Sequence, residues 1–190
     1  MAHKNGRIIM ESGEISQALA RLAKEIIEQP VDPGKLVLVG IHSGGVYLAA
    51  RLRQIIEAQH RLSVPVGSLD INLYRDDWTR LHTQPVVRAT HLPFPIDDRE
   101  VVLIDDVLYT GRTIRAALDA LMDYGRPRRV QVAVLVDRGH RELPISAQFI
   151  GLLVQTLSDE LVDVLLTEKD GVDEVVVEHF AHPAEAVSPT

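Results

Sequence analysis

Cysteine is absent from the 190 residues of this chain. That excludes a disulfide framework, a cysteine nucleophile and a thiolate metal site, and it is compatible with the reducing cytoplasm, the location expected here. Aromatic residues are scarce, with one Trp, four Tyr and three Phe, too few for a surface that stacks many bases on rings. Positive charge is in the minority. The formal net charge of −7 excludes a polycationic coat but leaves room for one basic face on an acidic body. No apolar run is long enough to cross a membrane, and the first residues, Met1-Ala2-His3-Lys4-Asn5-Gly6-Arg7, lack the apolar block of a signal peptide.

Three nucleotide and metal signatures are missing as well. There is no Gly-x-x-x-x-Gly-Lys-[Ser/Thr], no Gly-x-Gly-x-x-Gly after a first strand and no His-Glu-x-x-His. What is present is a hydrophobic content of 46%, ample for a real core. Residues 1–180 are expected to form a single domain and residues 181–190 a flexible tail.

Apolar residues Ile15, Leu19, Leu22, Ala23 and Ile26 recur at helical spacing and predict an amphipathic helix over 15–27. Residues 36–41 are nearly all apolar, as in a strand covered on both faces. After His42-Ser43-Gly44-Gly45 the helical period returns through Leu48, Leu52, Ile55 and Ile56. Alternation predicts a strand over 66–73, a buried strand at 101–104, a helix carrying Ile114, Ala117, Leu118 and Leu121, and a strand over 130–136. Such alternation of strand and helix makes a parallel α/β sheet. Residues 161–166 and 175–177, around Asp170-Gly171, read as an antiparallel hairpin attached to it. Residues 74–95 show no period, and a functional lid is the common reason for such a stretch inside a compact domain.

The chemistry lies in Val101-Val102-Leu103-Ile104-Asp105-Asp106-Val107-Leu108-Tyr109-Thr110-Gly111-Arg112-Thr113. A hydrophobic strand delivers two consecutive carboxylates to its C-terminal end, where open α/β sheets bind ligands. The turn that follows leads into a helix, whose first-turn N–H groups can hold a terminal phosphate. Carboxylates repel phosphate, so beside such a pocket they must meet something neutral or cationic. Vicinal sugar hydroxyls fit, and so does a Mg²⁺ carried by the ligand. A second phosphate-type turn, Ser43-Gly44-Gly45, again joins strand to helix.

The segment from Asp105 to Thr113 resembles the signature of the type I phosphoribosyltransferases. With Leu69-Asp70-Ile71-Asn72-Leu73-Tyr74-Arg75-Asp76-Asp77 and Val134-Leu135-Val136-Asp137-Arg138-Gly139-His140-Arg141-Glu142-Leu143-Pro144-Ile145, the chain is similar to the bacterial pyrimidine-operon attenuators that are also uracil phosphoribosyltransferases. The likeness covers residues 12–178. It implies an α/β fold with a central parallel sheet flanked by helices, a small hood and an antiparallel hairpin. It implies conversion of uracil and phosphoribosyl pyrophosphate to UMP and pyrophosphate with Mg²⁺. It further implies binding of UMP or UTP and of the leader messenger of the pyrimidine operon, and assembly into dimers or larger homo-oligomers.

By position, the resemblance makes Asp105, Asp106, Asp137 and Arg138 the catalytic set, with Mg²⁺ reaching Asp105 and Asp106 through the ligand. Val107, Leu108, Tyr109, Thr110, Gly111, Arg112 and Thr113 would surround the 5-phosphate. Ser43, Gly44 and Gly45 would form the pyrophosphate loop, and Arg75 and Arg80 in the lid would reach the leaving group. Gly139 would border the base. Arg21, Lys24, Arg138, His140 and Arg141 would face RNA. The chain departs from the family pattern at Ser43-Gly44, at Lys24, at Ser146 and Leu152, and at Gln148, which falls in a region expected to frame the base. Those departures admit an enzyme without RNA binding, or a UMP sensor without catalysis, as the other readings.

Overall fold

The computed structural model describes residues 6–29, 32–76 and 89–179. Its elements in chain order are β1 (Arg7–Glu11), α1 (Ser12–Ile27), β2 (Leu36–Ile41), α2 (Gly44–His60), β3 (Val66–Leu69), β4 (Glu100–Leu108), α3 (Arg112–Met122), β5 (Arg129–Asp137), β6 (Phe149–Leu153), β7 (Glu160–Leu165), the single turn α4 (Thr167–Asp170) and β8 (Glu174–His179). Five strands form a parallel sheet in the order β3-β2-β4-β5-β6.

The continuous apolar runs of β2 and β4 reflect two covered faces. Leu36, Leu38, Val102 and Ile104 pack with α1 and α2, while Val37, Val39, Ile41, Val101 and Leu103 pack with α3. The chain runs from β2 to β3 in one direction across the sheet and from β4 to β5 in the other. Crossovers of one hand therefore put α2 and α3 on opposite faces. The order reverses between β2 and β4, so the loops leaving these two strands open a crevice at their C-terminal ends.

Three differences from the sequence reading have physical causes. Helix α1 starts at Ser12 rather than Ile15, because the Glu11 backbone N–H donates to Glu14 Oε2 at 2.9 Å in a capping box that apolar spacing does not register. Strand β4 runs past Ile104 to Leu108, since pairing with β5 continues through Asp105↔Val134 and Leu108↔Asp137; a paired neighbour outweighs the low strand preference of Asp. Strand β3 stops at Leu69: the chain turns at Asn72–Tyr74 and leaves Leu73 66% exposed. A Ser68↔His91 bridge, with N–H···O distances of 2.8 Å both ways, brings the far side of the excursion back beside β3.

The tail also needs correction. Strands β7 and β8 are antiparallel as expected, but they pair with β1 in a separate sheet of order β1-β8-β7 rather than joining the main one. This second sheet forms the hood, and Met10, Val162, Val164, Val175 and Val177 join it to the α1–α2 side of the core. Its polar fastening is Arg51 of α2. That guanidinium donates to both oxygens of Glu168, at 2.8 and 2.5 Å, and to both of Asp173, at 3.0 and 2.7 Å. No helix among the described residues is long and apolar enough to span a membrane. The proposed tail, residues 181–190, lies outside the described residues.

The Arg51 hydrogen bonds hold the Glu168 and Asp173 carboxyls below their usual range. Groups lowered in the folded state stabilise it fully above their unfolded values, about 4, and the benefit is lost as pH falls through the lowered values. The urea midpoint should therefore drop as pH falls from about 5 to about 3, and drop less steeply in Arg51→Met. Equal slopes for the two proteins in equilibrium unfolding would show that the fastening does not titrate with the fold.

Candidate active site

Asp105 and Asp106 end the buried part of β4, Asp105 at 5% exposure and Asp106 half-buried. Their backbone is tightly organised: the Asp106 N–H donates to Asp105 Oδ1 at 3.0 Å and the Val107 N–H to Asp106 Oδ1 at 2.8 Å. Burial pushes Asp105 well above the ordinary carboxylate range, and the neighbouring Asp106 charge adds to that, while Arg75 opposes it. Burial likewise raises Asp106, against the pull of the Val107 N–H and of Lys169 in the hood. Two adjacent buried carboxyls with raised affinity for protons are a site for sugar hydroxyls or for a cation that replaces the proton. The hard oxygen donors suit Mg²⁺. Among the described residues no group of three or more His or acidic side chains is arranged to hold a metal.

The turn after β2 is pressed against this pair. A methyl group on Gly44 would lie 2.0 Å from Asp106 Oδ2, and one on Gly45 2.1 Å from the Ile104 carbonyl oxygen. Side-chain-free residues at both positions are thus a requirement of close approach. The His42–Ser43 peptide is cis.

Beyond the acids, a cavity of about 230 Å³ is lined by Arg75, Asp76, Val107, Leu108, Tyr109, Thr110, Gly111, Arg112 and Thr113. Gly111, at φ 93°, caps the N-terminus of α3 in the left-handed region. The first-turn N–H groups of a helix have no partner within it and form an anion site with the helix dipole. Arg112 does not point its charge into this cavity unopposed, because it donates to Glu142 at 2.6 Å and to Asp76 at 2.5 Å. The donors left uncommitted toward this cavity are the first-turn N–H groups of α3.

The loop after β5 forms the neighbouring wall. The Gly139 N–H donates to Asp137 Oδ1 at 3.0 Å. Arg138 is 3% exposed, lies 4.1 Å from the centre of the Tyr109 ring and donates to Thr156 Oγ1 at 3.1 Å and the Leu157 carbonyl at 3.2 Å. This placement buries the Arg138 guanidinium against the Tyr109 ring. A shallower cavity of about 370 Å³, lined by Arg138, Gly139, His140, Leu153, Val154, Gln155 and Thr156, opens at the ends of β5 and β6.

Gln148 is a correction. It sits at the opposite end of β6, where its side chain accepts the Val132 N–H at 2.7 Å, and β5 runs from there to Asp137. Its replacement of an acid therefore bears on sheet pairing rather than on the base. Of the other expected cations, Arg21 donates to the Ile150 and Gly151 carbonyls at 2.9 and 2.6 Å, and Lys24 stands 3.7 Å from Glu28. The exposed His140 ring contacts the Thr156 carbonyl oxygen at 2.6 Å. Arg80 and most of the expected lid fall in residues 77–88, outside the described residues. Sequence reasoning missed Lys169, whose Thr167-Glu168-Lys169-Asp170 context carries no motif, and Thr156, a buried hydroxyl that ordinary composition hides.

A phosphoribosyl transferase domain model matches residues 7–164. The chain is 69% identical to the "Bifunctional protein PyrR" of Syntrophobacter fumaroxidans, over 98% of this chain and 100% of that protein. It belongs to the PyrR family. The PyrR protein of Pelotomaculum thermopropionicum is 55% identical over 93% of this chain and 97% of its own. In fold, the hypoxanthine phosphoribosyltransferase of Trypanosoma cruzi aligns with a TM-score of 0.70 at 18% identity, covering 93% of each chain. The architecture is that of a type I phosphoribosyltransferase, and the family's activity is pentosyl transfer.

If the two carboxyls recognise the transferred sugar, Asp105→Asn with Asp106→Asn should reduce turnover at least a hundredfold, on the order of the loss of one preorganised transition-state contact. Circular dichroism and the unfolding midpoint should stay near wild type. Undiminished turnover in that double variant would remove the pair from the chemistry.

Proposed function

We propose that this PyrR-family chain transfers the ribose 5-phosphate of phosphoribosyl pyrophosphate to uracil, releasing pyrophosphate, and that uridine nucleotides bound in the same site promote binding to the leader messenger of the pyrimidine operon. The observation that carries the first half is the buried Asp105–Asp106 pair set between the Gly44–Gly45 turn and the 107–113 cavity.

The chemistry follows from this layout. The bond from the anomeric carbon to pyrophosphate breaks as a uracil nitrogen bonds to that carbon and gives up its proton to the departing pyrophosphate or to water, so positive character builds on the ribose while a polyanion departs. The carboxyls at positions 105 and 106 hold the ribose hydroxyls and favour the first charge. Backbone N–H groups of Ser43, Gly44 and Gly45, together with Arg75, receive the second. Tyr109, Thr110, Gly111 and Thr113 fix the 5-phosphate, with Arg112 shaping the mouth through its pairs to Asp76 and Glu142. Asp105 and Asp106 would hold, through the ligand, a Mg²⁺ whose chemistry is to offset the leaving group's negative charge. Asp137 and Gly139 border the space for the base, and Arg80, outside the described residues, would join Arg75 in reaching the leaving pyrophosphate.

For the messenger, two exposed residues lie along β6, the last strand of the sheet. Arg21 meets β6 at Ile150 and Gly151, and His140 meets Thr156 just past the end of β6. Lys24, exposed one turn further along α1 and 3.7 Å from Glu28, is a third candidate. Each phosphate neutralised there adds affinity through counterion release. Arg138 and Arg141 support this edge from inside. We assign the active species to a homodimer or larger assembly in the cytoplasm.

Purified protein with uracil, phosphoribosyl pyrophosphate and Mg²⁺ should yield UMP, followed by chromatography; no UMP with protein in excess would defeat the enzymatic half. UMP should tighten binding to the cognate leader RNA, and the affinity should fall steeply with salt. Binding indifferent to UMP would leave an enzyme without the regulatory role.

A further inference from the structure

The guanidinium of Arg141 is spent almost entirely on the chain's own backbone. Its Nε donates to the Ile145 carbonyl at 3.0 Å, and its Nη1 donates to the Tyr109 carbonyl at 2.7 Å and the Gly139 carbonyl at 3.0 Å. Its Nη2 donates to the Asp137 carboxylate. Tyr109 belongs to the phosphate turn, whereas Asp137, Gly139 and Ile145 belong to the wall after β5. One planar fork thus crosses between the two halves of the site.

The same seam carries a second set of bonds. The Thr110 carbonyl accepts from the Glu142 N–H at 2.9 Å and from the Leu143 N–H at 3.1 Å, and the Arg138 N–H donates to the Leu108 carbonyl at 3.1 Å. The loop being held has an uncommon backbone. Gly139 and His140 are consecutive left-handed residues, at φ 77° and 56°, and a non-glycine there persists only when its surroundings impose it. Arg141 grips the carbonyl of the first, and the His140 ring is fixed on Thr156. The Arg141 side chain is 24% exposed, with nearly all its donors committed.

We propose that Arg141 is a positioning residue for phosphoribosyl transfer, locking the 5-phosphate turn to the Asp137–Ile145 loop so that the sugar and base ends of the site move as one body. This deepens the phosphoribosyl reading above and rests on it. A lysine carries the same charge but cannot span four acceptors in one plane, so charge and geometry separate in a single substitution.

The test uses the full chain as wild type, Arg141→Lys and Arg141→Gln. Hydrogen exchange of the amides in 109–113 and 139–145 is read alongside kcat and KM for phosphoribosyl pyrophosphate. Both variants should keep an unfolding midpoint near wild type, and in both the two segments should exchange faster together, by about tenfold or more. Their kcat/KM should fall by roughly ten- to a hundredfold, as expected for a small misplacement of reacting groups. Wild-type exchange, or loosening confined to 139–145, would overturn the proposal. So would Arg141→Lys with wild-type kcat/KM, which would leave Arg141 only a charge. Failure of both variants to fold would overturn it too, by making Arg141 a folding determinant. A wild-type protein that makes no UMP would instead defeat the reaction assigned above, whatever the exchange shows.

Discussion

Two adjacent carboxyls, Asp105 buried and Asp106 half-buried, are held at the end of one central strand, and the surrounding structure answers that constraint. A buried carboxylate without compensation costs several kcal/mol, so the pair takes up protons more readily than free Asp until something cationic or hydroxylic arrives. Strand β4 supplies the rigidity, being paired on both sides by β2 and β5. The β2 turn supplies proximity, because Gly44 and Gly45 have no side chain to intervene. Arg75 from the lid side and Lys169 from the hood each lean their charge on one member of the pair.

Cations near the site mostly do something other than bind phosphate. Arg112 bridges Asp76 and Glu142, Arg138 lies beneath Tyr109, and Arg141 sews two loops together. Internal pairing of this kind builds shape, and under the proposed function anion recognition would fall to backbone N–H groups at helix starts, which are fixed in place before any ligand arrives. The hood follows the same logic at a distance. Its fastening by Arg51 brings Lys169, a residue outside the main sheet, within electrostatic reach of Asp106 on β4.

Much of this was legible in the amino acids. Strands β2, β4 and β5 announce themselves by apolar runs, and the acids and glycines by their position just after them. Their chemistry is local, and local patterns survive in sequence. Strand β1 and strand β6 were not legible: the first is held by pairing with β8 and the second by pairing with β5, partners far off along the chain. Gln148 misled for the same reason, since nothing in its neighbours says that it sits at the opposite end of the sheet from Asp137. The surroundings of the basic residues were the least legible. Charge is visible in sequence, but whether Arg138 or Arg141 faces solvent or its own backbone depends on loops that only the fold brings together.

The central claim is that the 109–113 turn takes the sugar's phosphate while the Ser43–Gly45 turn takes pyrophosphate, with the acids between them. Titrating isotopically labelled protein with ribose 5-phosphate and, separately, with pyrophosphate and Mg²⁺ reads this directly through amide chemical shifts. The account predicts that ribose 5-phosphate shifts the amides of Tyr109 to Thr113 first and pyrophosphate those of Ser43 to Gly45. Ribose 5-phosphate that perturbs neither the 109–113 amides nor those of Asp105 and Asp106 would contradict it.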